Sequence, residues 1–269
     1  MLGAIIGDIA GSRFEHHNIK TKHFEFFADY CRPTDDTVMS LAVAKAIQLS
    51  GGNAANLSEN AAKCMQEFGR KYPRAGYGGR FRSWIWAEDP QPYYSFGNGA
   101  AMRVSPCGYA AVSLEEAKEI AGKVTAVTHN HEEGIKAAQA VAAAVFMARS
   151  GSSMAEIRDY VLENYCEIPF TLDEIRENYC FDVTCQGSVP QAFEAFFESS
   201  DFEDAVRNAI SIGGDSDTIA AIAGSIAGAY YGIPDEIRSE ALSFLDEYEL
   251  ETLNAFEEFC TNRSLLSTD

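Results

Sequence analysis

Apolar positions recur along this chain at helical spacing, with no convincing strand alternation, so the pattern predicts helices throughout. The first run, Leu2 to Ala10, is apolar apart from Asp8 and is punctuated by Gly3, Gly7 and Gly11. Ser12 to Pro33 breaks the period. It is aromatic, irregular and too long for a simple turn, which marks it as a candidate functional loop. Periodicity returns at Thr34–Leu49, with an acidic start, and at Ser58–Arg70. A glycine-rich segment, Pro73 to Gly79, and a Pro-rich turn after Trp84 and Trp86 lead to SFGNGAAMRVSP, Ser95 to Pro106. Capping signatures then predict four helix starts: Ser113 with Glu116, Asn130 with Glu133 before an alanine-rich run, Ser153 with Glu156, and Thr171 with Glu174. Short amphipathic runs at Val189–Glu198 and Phe202–Ile210 precede GGDSDTIAAIAGSIAGAYYG, Gly213 to Gly232. Ile233 and Pro234 open a last acidic helical region, with proline at a favourable first-turn position. No linker interrupts the series, so residues 1–269 are expected to form one all-α domain.

Composition narrows the functional classes. Forty acidic against 21 basic residues give a formal charge of -19, which speaks against a basic face for duplex nucleic acid and leaves room for a local anion site. Seven scattered cysteines form no CxxC pair and read as reduced cytoplasmic thiols rather than a disulfide framework or zinc knuckle. The N-terminus has no basic segment followed by a signal-type cleavage site. The most apolar run, Ile219 to Ile233, falls short of a membrane span and hangs from two aspartates, as a buried soluble helix would. A monomer is expected for a core of this size.

The candidate chemistry lies at two matching helix starts, TDDT at 34–37 and DSDT at 215–218, each followed by a small-residue helix. Either alone reads as an N-terminal cap, because carboxylates there meet free backbone N–H groups and the favourable end of the helix dipole. Together they carry more oxygens than capping needs. Packed against each other, their carboxylates would repel unless protonated or bridged by cations, and magnesium or manganese favours carboxylate, hydroxyl and water oxygens. Such an arrangement could hold two ions with one aspartate bridging. Glu15 is a third acidic candidate, with Asp8 seven residues before it. The loop Gly97, Asn98, Gly99, Ala100, Ala101, Met102 and Arg103 could cradle a phosphate on consecutive backbone N–H groups or be a plain helix entry. It is neither a P-loop nor a dinucleotide fingerprint. Arg103 could supplement an anion site or pair with an acidic neighbour. Tyr93, Tyr94 and Phe96 could stack on a base or fill the core. His129 and His131 do not share a helix face, which excludes the i,i+4 zinc arrangement.

In this order the motifs resemble the ADP-ribosylglycohydrolase family: GDxxGxxxE at Gly7–Glu15, TDDT at Thr34–Thr37, GNGxxMR at Gly97–Arg103, Thr-His at Thr128–His129, and GxDxDT at Gly213–Thr218. The resemblance implies a compact orthogonal multi-helix bundle with two Mg2+ or Mn2+ ions in a cleft. It implies one ion on Thr34, Asp35, Asp36 and a bridging Asp217, and the other on Asp215, Asp217 and Thr218 with Glu15 nearby. The GNG loop would hold a diphosphate, His129 would orient the ribose end, and the segment around Tyr94 and Phe96 would border the adenosine. The implied reaction is hydrolysis at the anomeric carbon of an ADP-ribosyl group, probed on an ADP-ribosylated protein, with Glu15 or Asp35 as proton acceptor. A bare two-carboxylate glycosidase scheme fits the clustered ligand types less well. Hydrolysis of free derivatives such as O-acetyl-ADP-ribose, and ADP-ribose binding without turnover, are the alternatives. The GNGAAMR loop is somewhat closer to members acting on serine-linked or polymeric ADP-ribose, while the regions 16–33 and 76–86 are where acceptor specificity is expected.

Overall fold

A computed structural model describes residues 1–266, with side chains through residue 263. Among these residues there are fourteen α-helices and no strand. The small residues of the first run are there for helix contact. They line α1 (Leu2–Gly11), a continuous helix in which every residue is buried. After the long loop come α2 (Asp35–Leu49), α3 (Leu57–Lys71) and α4 (Gly79–Ile85). A 3-10 turn at Asn98–Ala100 precedes α5 (Ser105–Ala110), α6 (Leu114–Ala126), α7 (Glu132–Arg149), α8 (Met154–Asn164) and the one-turn α9 (Leu172–Ile175). The chain closes with α10 (Cys185–Phe197), α11 (Phe202–Ser211), α12 (Ser216–Tyr230), α13 (Asp235–Leu242) and α14 (Glu247–Leu266).

The centre is the antiparallel pair α1 and α12. A Cβ built on Gly3 would lie 2.1 Å from the Gly224 carbonyl oxygen, one on Gly7 2.0 Å from that of Ala220, and one on Gly11 2.6 Å from the Asp217 Cα. Small residues four apart on both helices therefore let the backbones touch. That contact carries the acidic head of α12 to the C-terminal end of α1. Around this pair α12 also packs on α7, α10 and α11, while α2 packs on α1, α3, α5 and α14. The alanines of α7 serve the same purpose as the glycines of α1, since Ala137, Ala138, Ala140 and Ala142–Ala144 are all buried.

The predicted starts at Ser153 and Thr171 are complete capping boxes, each with the reciprocal pair of bonds between the cap and the glutamate three residues on. Ser113 receives the Glu116 amide, but Glu116 Oε2 accepts from Val112 instead of Ser113. The α7 start is shifted by one residue. His131 Nδ1 caps it by accepting from the Glu133 amide, and Asn130 instead accepts from the Tyr94 amide. Asp8 and Glu15 are not on one helix, because α1 ends at Gly11.

The segment 12–33 contains no regular element, yet polar side chains pin it to the core. Asn18 exchanges two hydrogen bonds with the Gly214 backbone, at 2.9 and 2.8 Å. Lys20 donates to the carbonyls of Tyr179 and Ile212. Gly213 and Gly214 both have positive φ (70° and 76°), the left-handed turn through which the chain enters α12.

Candidate active site

Two helix N-termini meet at the C-terminal end of α1. Thr34 caps α2, with Asp35 and Asp36 in its first turn. Asp215 stands at the N-cap position of α12 without a side-chain capping bond, and Asp217 lies in the first turn. Asp8 reaches across from α1 and accepts four hydrogen bonds: from Thr34 N (2.8 Å), Thr34 Oγ1 (2.6 Å), Thr37 N (3.0 Å) and Thr37 Oγ1. Asp8 is thus a second cap of α2, supplied by another helix. Three of these donors go to Oδ2 and one to Oδ1, so of the roughly four acceptor positions of a carboxylate it is Oδ1 that keeps one free. The Thr34 hydroxyl donates to Asp8 and accepts from the Asp36 amide at 3.4 Å, tying Thr34 to the α1 side of the site.

The carboxylates form two groups that share Asp217. In one, ligand atoms of Asp8, Asp36 and Asp217 lie within 4.8 Å of one another; in the other, those of Glu15, Asp215 and Asp217 do. The Thr218 hydroxyl donates to Asp36 Oδ2 at 3.2 Å, and its amide donates to Asp217 Oδ1 at 3.0 Å. Asp36 Oδ1 is buried without any hydrogen-bond partner. Asp35 belongs to neither trio but lines the same cavity, where the charges of Asp8, Asp215 and Glu15 reach it. Its Oδ1 would be 2.9 Å from a Cβ on Gly76, a residue with φ of 119°, so glycine is required there by space and by conformation.

Burial pushes every member of this set toward the neutral form. Desolvation is the leading cause for Asp36 and Asp217, both held well above the usual carboxylate range, with neighbouring Asp8 and Asp215 respectively adding to it. Asp35 is raised to about 7 by burial and then by Asp8. Asp8, Asp215 and Glu15 are raised too, again by burial first; the threonine bonds offset part of it at Asp8, and Asp217 and Asn98 do so at Asp215. Buried like charges with an orphaned carboxylate oxygen are what a hard divalent cation neutralises, so the donor set fits a metal centre.

Glu15, Asp35, Asp36, Asp215 and Asp217, but not Asp8, floor a cavity of about 460 Å3 whose wall includes Gly97, Asn98, Gly99, Met102, Arg103 and His129. Asn98 ties the wall to the floor, donating to Asp215 Oδ2 at 2.6 Å and to Ser188 Oγ at 3.1 Å. Several of the loop amides are engaged within the protein. The Gly97 amide donates to Ser95 Oγ and the Asn98 amide to the Val183 carbonyl. Those of Ala100, Ala101 and Met102 turn back to Gly97 and Asn98. Ala100 and Ala101 are buried and do not line the cavity.

His129 supplies a donor at this loop. Its Nε2 lies 3.3 Å from where a Gly99 Cβ would be. Its Nδ1 is 3.2 Å from Arg103 Nη2 and 2.7 Å from Thr128 Oγ1, and Arg103 Nη2 donates to that hydroxyl at 2.6 Å. A guanidinium only donates, so Nδ1 accepts and the ring proton sits on Nε2. Burial, then the Arg103 charge, hold His129 well below the ordinary histidine range. Arg103 itself is 1% exposed, and its Nη2 is engaged by Thr128 and His129 at the back of the cavity.

The aromatic wall is also other than expected. Tyr93 lines the cavity with Phe81, and half-exposed Phe181 and Val183 form its rim, whereas Tyr94 and Phe96 pack on the His131 ring outside it. Phe181 and Val183 carry a sequence trace, two apolar residues in a polar stretch before the Thr184 cap. Their place beside the GNG loop arises from the Gly97–Thr184 bridge, which no local pattern encodes.

Residues 1–264 match the ADP-ribosylglycohydrolase family. The chain belongs to that family. As an ADP-ribosylglycohydrolase it is 25% identical to the human protein named ADP-ribosylhydrolase ARH3, over 93% of this chain and 88% of that one. It is 28% identical to the ADP-ribosyl-dinitrogen reductase glycohydrolase of Rhodospirillum rubrum, over 79% of this chain and 73% of the relative. A solved structure named an ADP-ribosylglycohydrolase-related protein complex shares the fold with a TM-score of 0.63 and 23% identity, covering 97% of this chain and 93% of its own. The all-α bundle is therefore the fold of this family. Among the described residues no helix is long and apolar enough to cross a membrane.

Proposed function

We propose that this ADP-ribosylglycohydrolase is a metal-dependent enzyme that cleaves the glycosidic bond between ADP-ribose and an acceptor side chain, working as a single domain and a monomer in the cytoplasm. The observation that carries the reading is the pair of carboxylate groups sharing Asp217 beneath the GNG loop and His129. Asp35, Asp36 and Asp217 would hold one Mg2+ or Mn2+, and Asp215, Asp217 and Thr218 the other, with Glu15 as a nearby ligand. When bound, the ions supply positive charge that orients ribose hydroxyls and favours ionisation of water. The chain does the rest. Asn98 fixes Asp215 and so sets floor against wall. His129 Nε2–H, on an uncharged ring, donates to the ribose end beside the loop that receives the diphosphate. Glu15, half-buried and within reach of the Asp215 charge, is the first choice for proton acceptor at the anomeric carbon, with Asp35 in the same cavity as the other candidate.

Asp217→Asn tests this directly. It removes the shared charge, and loss of that much charge stabilisation predicts a fall in kcat/KM of about 10³-fold or more. The metal-free variant should be at least as stable as the metal-free parent, because a buried like charge is gone, while the rise in Tm on adding Mg2+ or Mn2+ should shrink. Full activity in rigorously metal-free protein would sink the reading. Arginine-, serine- and acetyl-linked ADP-ribose assayed side by side would then assign the linkage.

A further inference from the structure

A second hollow of about 540 Å3 opens on the other side of Glu15, formed by Arg13, His16, His17, Tyr30 and Arg32 with Ser12 and Phe14. Glu15 is the one side chain lining both this hollow and the main cavity. In a chain of net charge -19, the hollow gathers two guanidinium and two imidazole groups around a single carboxylate. The Arg13 guanidinium stacks on Phe14, 4.4 Å from the ring centre, and stands 5.6 Å from that of Tyr30. It donates to the Glu25 carbonyl, and its Nε is buried without an acceptor. Arg32, His16 and His17 are exposed, and Tyr30 is 70% exposed.

Resting on the proposed function above, we infer that this hollow is the acceptor groove and that it takes a polypeptide carrying Asp or Glu beside the ADP-ribosylated residue. A group held over the carboxylate floor with its anomeric carbon at Glu15 directs its acceptor past Glu15, and the hollow is the surface that lies there. Arg13 and Arg32 then meet flanking carboxylates, Tyr30 gives the peptide a flat apolar contact, and the acidic remainder of the surface repels an acidic peptide docked anywhere else. The pairing is complementary in charge and partly exposed, so it acts mainly on encounter and is weakened by salt.

The test uses three conjugates with one linkage: an ADP-ribosylated peptide with Asp and Glu flanks, the same peptide with Asn and Gln flanks, and the ADP-ribosylated amino acid alone. The acidic peptide should exceed the neutral one in kcat/KM by roughly tenfold at low ionic strength, and the margin should collapse toward one in about 0.5 M salt. Arg32→Gln should cut the acidic-to-neutral ratio severalfold while leaving the neutral-peptide-to-amino-acid ratio in place. Equal or better turnover of the neutral peptide, with all three conjugates hydrolysed, overturns the groove and leaves the hydrolase reading standing. No hydrolysis of any conjugate in the presence of metal overturns the hydrolase reading, and the acceptor role of the groove falls with it.

Discussion

At the scale of single residues, the site is held by side chains that act through their neighbours. Arg103 is a fully buried cation whose Nη2 is spent on Thr128 and His129. It adds to the burial that keeps His129 uncharged and fixes the ring proton on Nε2. In Arg103→Met the charge contribution disappears while burial, the larger cause, remains, so the His129 pKa should rise from its depressed parent position and the ring should lose its fixed tautomer. Activity should fall by roughly tenfold, the scale of one misdirected hydrogen bond. Ring 15N shifts of His129 give a readout that lost packing alone would not move: a parent ring protonated on Nδ1, or a variant with the parent's tautomer and His129 pKa unchanged, would refute the assignment. The sequence shows Arg103 beside a glycine loop, where phosphate contact is a natural expectation, but a linear pattern carries no information on which way a guanidinium turns. Asp8 has the same history. It is visible as the lone charge in an apolar run, yet its partners at Thr34 and Thr37 lie 26 and 29 positions away. The acidic motifs were legible because their residue types repeat at two helix starts. Phe181, Val183 and Asn18 were not, since they join the site through tertiary contacts alone.

At the scale of elements, α1 and α12 act as one unit, and their spacing positions the metal-type ligands. The period of Gly3, Gly7 and Gly11 is readable in the sequence as small residues four apart. What it cannot show is that the matching surface is Gly224, Ala220 and Asp217, more than 200 residues later. A methyl group on Gly7 would fall 2.0 Å from a backbone oxygen and 2.3 Å from its carbon, so no side-chain rotation relieves it. Gly7→Ala should therefore push α12 away from α1, at a cost of about 3 kcal/mol or more. The displaced Asp217 should depress activity even in the fraction that remains folded. Gly122→Ala in α6 is the contrasting case, since its nearest neighbour is the flexible Gln139 amide at 3.2 Å. There the gain in helix propensity offsets a small adjustment, and stability should stay within about 1 kcal/mol of the parent. Chemical denaturation followed by far-UV circular dichroism separates the two, and equal stabilities would contradict the packing argument.

At the scale of the whole molecule, closing the bundle places carboxylates where water cannot reach them, and not only at the active site. The last long helix, α14, packs against α2. It starts with a reciprocal cap in which the Asp246 amide donates to Glu249 Oε2 and the Glu249 amide to Asp246 Oδ1, both at 2.9 Å. The Tyr72 hydroxyl donates to the same Asp246 carboxylate. Glu249 is 4% exposed, and burial raises it to about 7, with the Asp246 backbone bond working the other way. The folded chain therefore binds the Glu249 proton more tightly than the unfolded chain, whose carboxyl has the ordinary value near 4.5. The sign follows: this contribution to stability is complete below about pH 4.5 and is lost as pH rises through about 7. At most about 3 kcal/mol is at stake, at 1.36 kcal/mol per unit. Glu249→Gln imitates the protonated form and keeps an acceptor for the Asp246 amide. It should match the parent near pH 5 and be more stable by about 2 kcal/mol at pH 8.5. Urea unfolding of both proteins at the two pH values measures this as a difference, in which the shared titration of the active-site carboxylates cancels. A variant that is uniformly less stable at both would mean that the glutamate is needed ionised, as a partner of the α14 start rather than a cost of burying it.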